Sequence, residues 1–319
     1  MNEKRWRTEP KKSEAKTGTE AEGITAFLTP EEMHTLGRLA LRSRSVVEGN
    51  LAGAHRSPFY GPSSEFADHK AYGIGDDPKH IDWRVVARTD KYYVKRYEDE
   101  TNLRVYLALD RSASMNFAGA GGTTKYAFAS RLVAALGYVV VKARDSVGLA
   151  LHADKVDVMM EAKNSLLHLN NLLKTLKQYE PASTTAIAEA LHQIAGSVGR
   201  RALIVVISDL LGDDDAIRSA LAHLRKKNHD VIVMHVLDPV EIDLSFKTPA
   251  LFSDMETGEK LAVDPRGIGE AYRKAFGEYL AQIQNHCQSL NIDYRLVRSD
   301  QPLELFVRAY LTERKRLTR

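Results

Sequence analysis

Two apolar stretches of strand length stand out in the pattern of hydrophobic and polar positions along this chain. Residues 103–109 carry leucine or valine at every second position with one charged side chain, and residues 202–207 are apolar throughout. Such runs are typical of strands that are buried on both faces of a parallel sheet. The first run stops at Asp110 and the second at Ser208-Asp209, so each predicted strand ends in oxygen-bearing side chains.

Apolar residues recur at helical spacing through much of the chain between and after these strands. The alternation of strands and helices predicts an α/β fold, with a mainly parallel sheet that has helices on both faces. The predicted helices span about 124–143, 164–178, 186–198, 213–227, 269–290 and 303–311, and further strands span about 147–152, 156–160, 230–236 and 292–297.

Residues 238–266 interrupt this alternation. Asp238-Pro239 breaks the pattern, and two short apolar stretches flank residues 256–259 in the manner of a hairpin. The hairpin either decorates the edge of the sheet or docks a partner, and the sequence leaves both interpretations open.

The N-terminal part of the chain differs in character from the rest. Residues 1–23 are rich in Lys, Glu, Thr and Arg with one aromatic residue, which predicts a disordered tail. A helix is predicted to start at Thr29-Pro30 and to end near Gly49-Asn50, because threonine is a good N-cap and glycine or asparagine suits a left-handed C-cap.

From residue 55 to residue 100, charged residues, glycine and aromatic residues are interleaved. In a structural interpretation glycine and proline shape turns, and the side chains that pack are Trp83, Tyr92 and Val94. In a functional interpretation the segment forms a polar surface that binds a partner through Asp76, Asp77, Asp82, Trp83, Arg84 and Arg88.

Length, composition and charge limit the classes of function. The 319 residues correspond to about two domains, and 44% hydrophobic with 27% charged residues is ordinary for a globular protein. With 45 basic against 42 acidic side chains the net charge is +3, so no global basic field points to nucleic acid. Cys287 is the single cysteine, and the sequence has no apolar run of about 18 residues and no signal peptide. These features predict a soluble, cytoplasmic protein without a membrane span.

The loop after the first apolar strand carries the candidate chemistry. Asp110, Ser112 and Ser114 stand at positions i, i+2 and i+4, so three oxygens can face one point in a tight turn. Loops just past strand ends hold ligands in open α/β sheets, and oxygen ligands suit a hard cation such as Mg²⁺ or Mn²⁺. On its own, the D-x-S-x-S pattern also fits a capped loop before a helix.

Two later segments strengthen the metal-site interpretation. The hydroxyl-rich segment Ser183-Thr184-Thr185 precedes a predicted helix, and the strand at 202–208 is followed by Asp209. This order of motifs resembles the metal-ion-dependent adhesion site of von Willebrand factor A domains. The resemblance implies a doubly wound, mainly parallel α/β fold. It also implies a divalent-metal site formed by Asp110, Ser112, Ser114, Thr185 and Asp209, with Thr184 as the alternative to Thr185.

A second resemblance covers roughly residues 35–315. The motifs S-P-F-x-G, E-F-x-x-x-K-x-Y-x-x-G-D-D-P-K-x-I-D-W-R-x-x-A-R-T and V-K-x-x-E-x-E are similar to the signature of the domain-of-unknown-function-58 family, abbreviated DUF58. Lys70 and Lys79 stand where arginine is expected, which keeps the charge but loses the planar guanidinium. The resemblance implies a smaller N-terminal segment at 24–101, a von Willebrand A-like domain at 102–312 with a hairpin insertion at about 238–266, and a basic tail at 313–319.

The family resemblance also implies a function. Proteins of this family are typically associated with MoxR-type AAA+ ATPases, as adaptors in the assembly or maturation of other proteins. We therefore expect a non-enzymatic interaction module that binds an acidic side chain of its partner, the ATPase or its client, through the metal ion.

Enzymatic and nucleic-acid alternatives find less support in the residues. The sequence has no G-x-S-x-G elbow, no G-x-x-x-x-G-K-[ST] loop and no zinc-ligand spacing with cysteine around His152, His168 or His192. A divalent-dependent hydrolase would turn over phosphate or ester substrates. A nucleic-acid binder would show steep salt dependence and would use the basic residues Arg84, Arg88, Lys91, Lys95 and Arg96, although acidic residues are interleaved with them.

Overall fold

The structure is a computed structural model that describes residues 23–37, 65–73, 78–98, 103–119, 122–181, 186–246, 248, 250–255 and 258–317. The chain divides into two compact units, Met1–Val47 with Leu103–Arg319 (unit 1) and Glu48–Asn102 (unit 2). Several sequence predictions concern residues outside the described ranges. They are the tail up to residue 22, the end of the first helix near Gly49-Asn50, and the candidate residues Asp76, Asp77, Thr184 and Thr185.

Strands and helices alternate along the described part of the chain. The strands are β1 (Glu65–Ala71), β2 (Tyr93–Glu98), β3 (Arg104–Asp110), β4 (Ser146–His152), β5 (Val156–Lys163), β6 (Leu203–Ser208), β7 (Asp230–Leu237), β8 (Ala250–Ser253), β9 (Lys260–Val263) and β10 (Asp293–Arg298). Residues 30–37 are helical, as the predicted start at Thr29-Pro30 requires. The helices described at both ends are α1 (Trp83–Thr89), α2 (Lys125–Lys142), α3 (Leu166–Lys177), α4 (Ile187–Ser197), α5 (Asp214–Lys226), α6 (Pro239–Asp243), α7 (Pro265–Ser289) and α8 (Leu303–Leu317). Within these ranges, no helix combines the length and the apolar composition needed to span a bilayer.

A six-stranded sheet forms the centre of unit 1. Its strand order is β10-β7-β6-β3-β4-β5, and all neighbours are parallel except the antiparallel pair β4–β5. Strand β3 is buried along almost its whole length, which explains why its sequence is a near-continuous apolar run. The prediction of an α/β fold with a mainly parallel sheet is confirmed.

Helices cover both faces of this sheet. On one face, Tyr106 and Ala108 of β3 belong to a buried cluster with side chains of α4, α5 and α7. On the other face, the approach of α2 to α3 and β3 is close at Gly137, where a Cβ would lie 2.8 Å from Leu169 and 3.8 Å from Leu107. Since both faces are covered, polar side chains collect in the loops at the strand ends.

Two helices of unit 1 are longer than the apolar pattern predicts. Helix α7 begins at Pro265 rather than near residue 269, because Asp264 accepts a hydrogen bond from the Arg266 amide and caps the helix. Helix α8 continues to Leu317 rather than ending near residue 311, so most of the predicted basic tail is helical. Arg314 explains this extension, since it is 3% exposed and its guanidinium donates to Asp293 at 3.1 Å.

The interruption at residues 238–266 contains a short helix and a hairpin. Helix α6 starts at Pro239, where the sequence predicts only a break. Asp238 and Glu241 form a capping box that satisfies the backbone amides at this helix start. Strands β8 and β9 pair in antiparallel fashion, from Ala250↔Val263 to Ser253↔Lys260.

Unit 2 is built on the antiparallel pair β1–β2, with α1 between the two strands in the sequence. Val94 is 8% exposed, as a packing residue should be. Trp83 and Tyr92 are 64% and 55% exposed, so the prediction that they pack is wrong. None of the seven residues of α1 is buried, so Trp83 lies on an exposed helix.

Candidate functional site

The carboxyl ends of β3 and β6 bring the predicted site residues together. These neighbouring strands are parallel and pair from Val105↔Leu203 to Leu109↔Ile207. Their ends therefore meet at one edge of the sheet, where ligands bind in open α/β folds. Four of the five predicted metal-site residues lie there and are named the candidate metal site: Asp110, Ser112, Ser114 and Asp209.

Asp110 is a fully buried carboxylate without a cationic partner in the described part of the chain. Its Oδ1 accepts a hydrogen bond from the Ser112 amide at 2.8 Å, and its Oδ2 accepts one from the Ser208 hydroxyl at 2.6 Å. Burial raises the pKa of Asp110 to about 6, and the nearby charge of Asp209 adds to that effect. Asp110 thus carries a negative charge at neutral pH that a bound cation would stabilise.

The two serines of the motif lie in a tight turn directly after β3. A 3₁₀ turn spans Ala113–Asn116, and Ser112 precedes it in an extended conformation. The Oγ atoms of Ser112 and Ser114 are 2.9 Å apart, and both side chains are buried. This turn therefore places two hydroxyl oxygens side by side next to the Asp110 carboxylate.

Asp209 forms a buried ion pair that the sequence did not predict. Its Oδ2 accepts a hydrogen bond from Lys125 Nζ at 2.8 Å, and the same ammonium donates to Glu241 Oε1 at 2.5 Å. Lys125 is completely buried. Burial alone lowers the pKa of Lys125, but Asp209 and Glu241 together raise it above its ordinary value, so the lysine is a permanent cation.

The backbone of Asp209 is held in place from the neighbouring strand. His235 of β7 has its Nε2 2.8 Å from the Asp209 carbonyl oxygen, and its Nδ1 lies 2.8 Å from the Tyr294 hydroxyl. Burial lowers the pKa of His235 to about 4, so the ring is neutral at pH 7. A neutral imidazole that donates to the carbonyl fixes the Asp209 main chain without adding charge to the site.

Thr185 lies outside the described residues, and so does the alternative Thr184. The residue that follows them, Ala186, donates its amide to the Ala153 carbonyl at 3.2 Å. Ala153 comes directly after β4, the parallel neighbour of β3 on the side away from β6. The role of Thr185 as a fifth ligand stays a prediction.

A groove adjoins the candidate metal site. It has a volume of about 530 Å³, and its lining combines the turn after β3, α6, the β8–β9 hairpin and α7. Aromatic side chains from these elements include Phe117, Phe246, Phe252 and Tyr272, and Ser114 lines the groove as well as the site. We call this feature the aromatic groove.

The residues predicted to bind a partner in unit 2 fall into three groups. Asp82 is 8% exposed and accepts a hydrogen bond from the Arg84 amide at 3.0 Å, so its carboxylate caps α1. Trp83, Arg84 and Arg88 are exposed on α1 and are available to a partner. Asp76 and Asp77 lie outside the described residues.

The donor set of the candidate metal site fits a hard divalent cation. It consists of two carboxylates and two hydroxyls, and Mg²⁺ and Mn²⁺ prefer oxygen ligands of this kind. Among the described residues, no group of three or more His, Cys, Asp or Glu side chains is arranged to hold a metal ion. Hydroxyl groups, and not carboxylates alone, would therefore have to complete the coordination.

The fold and the site define a class of protein: an α/β protein whose parallel sheet carries a buried acidic and hydroxyl cluster at its carboxyl edge. The chain belongs to a family that is described as protein of unknown function DUF58, whose model matches residues 68–286. The sequence resemblance to this family is thereby confirmed.

Mycobacterial proteins and two Bacteroides structures are similar to this chain. Uncharacterised proteins Mb1516 of Mycobacterium bovis and Rv1480 of Mycobacterium tuberculosis are each 24% identical over 292 residues, which is 90% of this chain and 91% of the relative. An aerotolerance-related membrane protein from Bacteroides fragilis is 19% identical, with a TM-score of 0.45 over 67% of this chain and 99% of that chain. The conserved hypothetical protein BatB from Bacteroides thetaiotaomicron is 18% identical, with a TM-score of 0.40 over the same shares.

Proposed function

We propose that this protein is a non-enzymatic interaction module that binds a protein partner through a divalent cation, Mg²⁺ or Mn²⁺, held at the candidate metal site. The observation that carries the proposal is the convergence of Asp110, Ser112 and Ser114 with Asp209 at one sheet edge. The cation would supply a coordination position for an acidic side chain of the partner. The order of motifs on a mainly parallel sheet supports a von Willebrand A-like domain with a metal-ion-dependent adhesion site.

The proposed partner is a MoxR-type AAA+ ATPase or its client, with the complex acting in protein assembly or maturation. The sequence resemblance to DUF58 proteins supports this choice, and the single cysteine supports a cytoplasmic setting. The aromatic groove beside Ser114 supports a macromolecular partner, because it offers apolar surface next to the cation. Interfaces commonly combine a few aromatic contacts with a polar anchor of this kind.

Capture of a purified MoxR-type AAA+ ATPase from the same organism tests the proposal. Wild type is expected to capture the ATPase in millimolar Mg²⁺ and to lose it in EDTA, and Asp110→Ala is expected to lose it in both. Melting curves of the same samples check loading, since a ligand that binds only the folded state raises its stability by about 2.7 kcal/mol at a hundredfold excess over its Kd.

Asp215→Ala is the matched control, because it removes a carboxylate whose side chain is 94% exposed. This variant should capture the ATPase as wild type does. Equal capture by wild type and Asp110→Ala, with and without EDTA, would contradict a metal-bridged contact.

A further inference from the structure

Lys125 is a fully buried lysine at the candidate metal site that the proposed function does not use. Lysine is almost never fully buried unless it is paired, and this one is paired twice, with Asp209 and with Glu241. Its ammonium also lies 5.9 Å from the centroid of the Phe117 ring. A metal ion at the candidate metal site would therefore share the Asp209 carboxylate with the Lys125 ammonium.

The position of Lys125 is fixed by its neighbours along the chain. It is the first residue of α2, whose N-cap Thr124 accepts a hydrogen bond from the Ala127 amide. The Lys125 amide itself donates to the Phe117 carbonyl at 3.0 Å. These contacts tie the start of α2 to the turn that carries Ser112 and Ser114, so the ammonium stays beside the site.

A fixed cation next to a metal position has two effects of opposite sign. It repels a bound divalent cation and thereby weakens metal binding. It attracts a carboxylate that approaches the metal, because the bound ion and the ammonium act on the anion together. Both effects are stronger in a buried site than in water, because the local dielectric constant is lower and screens the charges less.

We propose that Lys125 sets the charge of the candidate metal site, offsetting Asp209 so that a bound divalent cation keeps its affinity for a carboxylate of the partner. The inference rests on the proposed function and assigns Lys125 as its specificity-determining residue. Without the lysine, the carboxylates of Asp110, Asp209 and Glu241 would more than neutralise a divalent cation, and a carboxylate of the partner would gain little from binding it. Glu241 moderates the charge of Lys125 from the other side.

Two substitutions are expected to move metal and anion affinity in opposite directions. Lys125→Met removes the positive charge from a side chain of similar length, so Mn²⁺ should bind about tenfold more tightly and a carboxylate about tenfold more weakly. Glu241→Gln leaves the lysine with one anionic partner, so Mn²⁺ should bind more weakly and a carboxylate more tightly. Glutamine also serves in capping boxes, so α6 should stay intact in the second variant.

Titration of the purified full chain with Mn²⁺ by calorimetry measures the first affinity. The second is measured with acetate as the carboxylate probe, through the relaxation enhancement that bound Mn²⁺ produces in ¹³C-labelled acetate. Lys142→Met is the matched control, because Lys142 lies at the exposed end of the same helix and should change neither value. Lys125→Arg keeps the charge and should retain acetate binding.

The outcomes separate this inference from the proposed function. If wild type binds Mn²⁺ and both Lys125→Met and Glu241→Gln bind Mn²⁺ and acetate as wild type does, the role of Lys125 is overturned while the metal site stands. If Lys125→Met binds Mn²⁺ and wild type does not, the lysine takes the place of the metal, which overturns both the inference and the proposed function. Absence of Mn²⁺ binding in every variant overturns both.

Discussion

Three buried ionisable residues of unit 1 respond to pH in opposite ways. Burial, aided by Asp209, raises the pKa of Asp110 to about 6 from an ordinary value of 3.8. Burial lowers the pKa of His152 and of His235 to about 4 from an ordinary value of 6.5. The contribution of Asp110 to stability is therefore complete below pH 3.8 and is lost as the pH rises through 6. The contribution of each histidine is complete above pH 6.5 and is lost as the pH falls through 4.

Asp110→Asn is predicted to make acid destabilisation steeper between about pH 4 and pH 6 in the absence of metal. In this range the unfolded chain binds protons at His152 and His235 that the folded chain does not bind, which lowers stability as the pH falls. Folded Asp110 binds a proton that unfolded Asp110 does not bind, which partly offsets this loss of stability. Removal of that offset steepens the fall by about one proton, or about 1.4 kcal/mol per pH unit. Urea denaturation in EDTA at a series of pH values measures the slope.

Asp215→Asn provides the control for this slope, because its carboxylate is exposed in both states. It should follow wild type at every pH. If Asp110→Asn also follows wild type, Asp110 is ionised in the folded chain throughout the range, and the pH dependence would have to come from the histidines alone.

At the scale of single residues, local sequence pattern predicts Asp110 and the two serines but not Lys125. The D-x-S-x-S spacing lies within five residues, and one turn decides its geometry. The partners of Lys125 lie 84 and 116 residues further along the chain, so a lysine at a helix start looks like an ordinary solvated residue. Its burial follows from the tertiary fold, which brings α6 and the end of β6 to the start of α2.

At the scale of elements, continuous apolar runs predict the central strands well because parallel strands are buried on both faces. Short elements are less visible to that pattern. Helix α6 has five residues, and its signal is the capping box of Asp238 and Glu241 rather than an apolar stripe. That signal, aspartate followed three residues later by glutamate around a proline, is present in the sequence and could have identified the helix.

Strand β4 contains a glycine that the packing between β3 and β5 requires. A Cβ at Gly148 would lie 2.7 Å from the Met160 carbonyl oxygen and 2.8 Å from the Tyr106 ring. Gly148→Ala is therefore predicted to destabilise the protein by about 1–3 kcal/mol, the usual cost of overpacking a buried site. Chemical denaturation of the purified variant measures the loss.

Gly196→Ala is the matched control within a helix. Apart from its chain neighbours and the backbone of its own helix, no atom lies within 4 Å of a Cβ at this position in α4, and alanine favours helix more than glycine does. This variant is expected to be stabilised by about 0.4–1 kcal/mol. A loss of stability for Gly196→Ala as large as that for Gly148→Ala would mean that the contacts at Gly148 are not the cause.

At the scale of the whole molecule, each of the two compact units carries its own candidate surface for binding a partner. Unit 1 carries the candidate metal site and the aromatic groove, whereas unit 2 carries Trp83, Arg84 and Arg88 on the exposed helix α1. Exposed tryptophan and arginine are the residue types that dominate binding energy in protein interfaces. We therefore expect unit 2 to add a metal-independent contribution to the proposed contact, which is too weak by itself to capture the partner when the metal is removed.

The double variant Trp83→Ala with Arg88→Ala is predicted to separate these components. Both side chains are exposed and no residue of α1 is buried, so the fold should tolerate their loss. Capture of the MoxR-type ATPase should fall about tenfold in Mg²⁺, because an interface anchor commonly contributes 1–2 kcal/mol or more. The Mg²⁺-dependent rise in melting temperature should equal that of wild type, since the candidate metal site lies in unit 1. Leu167→Ala, at a residue 72% exposed on α3, controls for the loss of surface apolar area and should leave both values unchanged.

Undiminished capture by the double variant would confine the partner contact to unit 1. A metal-dependent shift in melting temperature smaller than that of wild type would show that unit 2 contributes to metal binding.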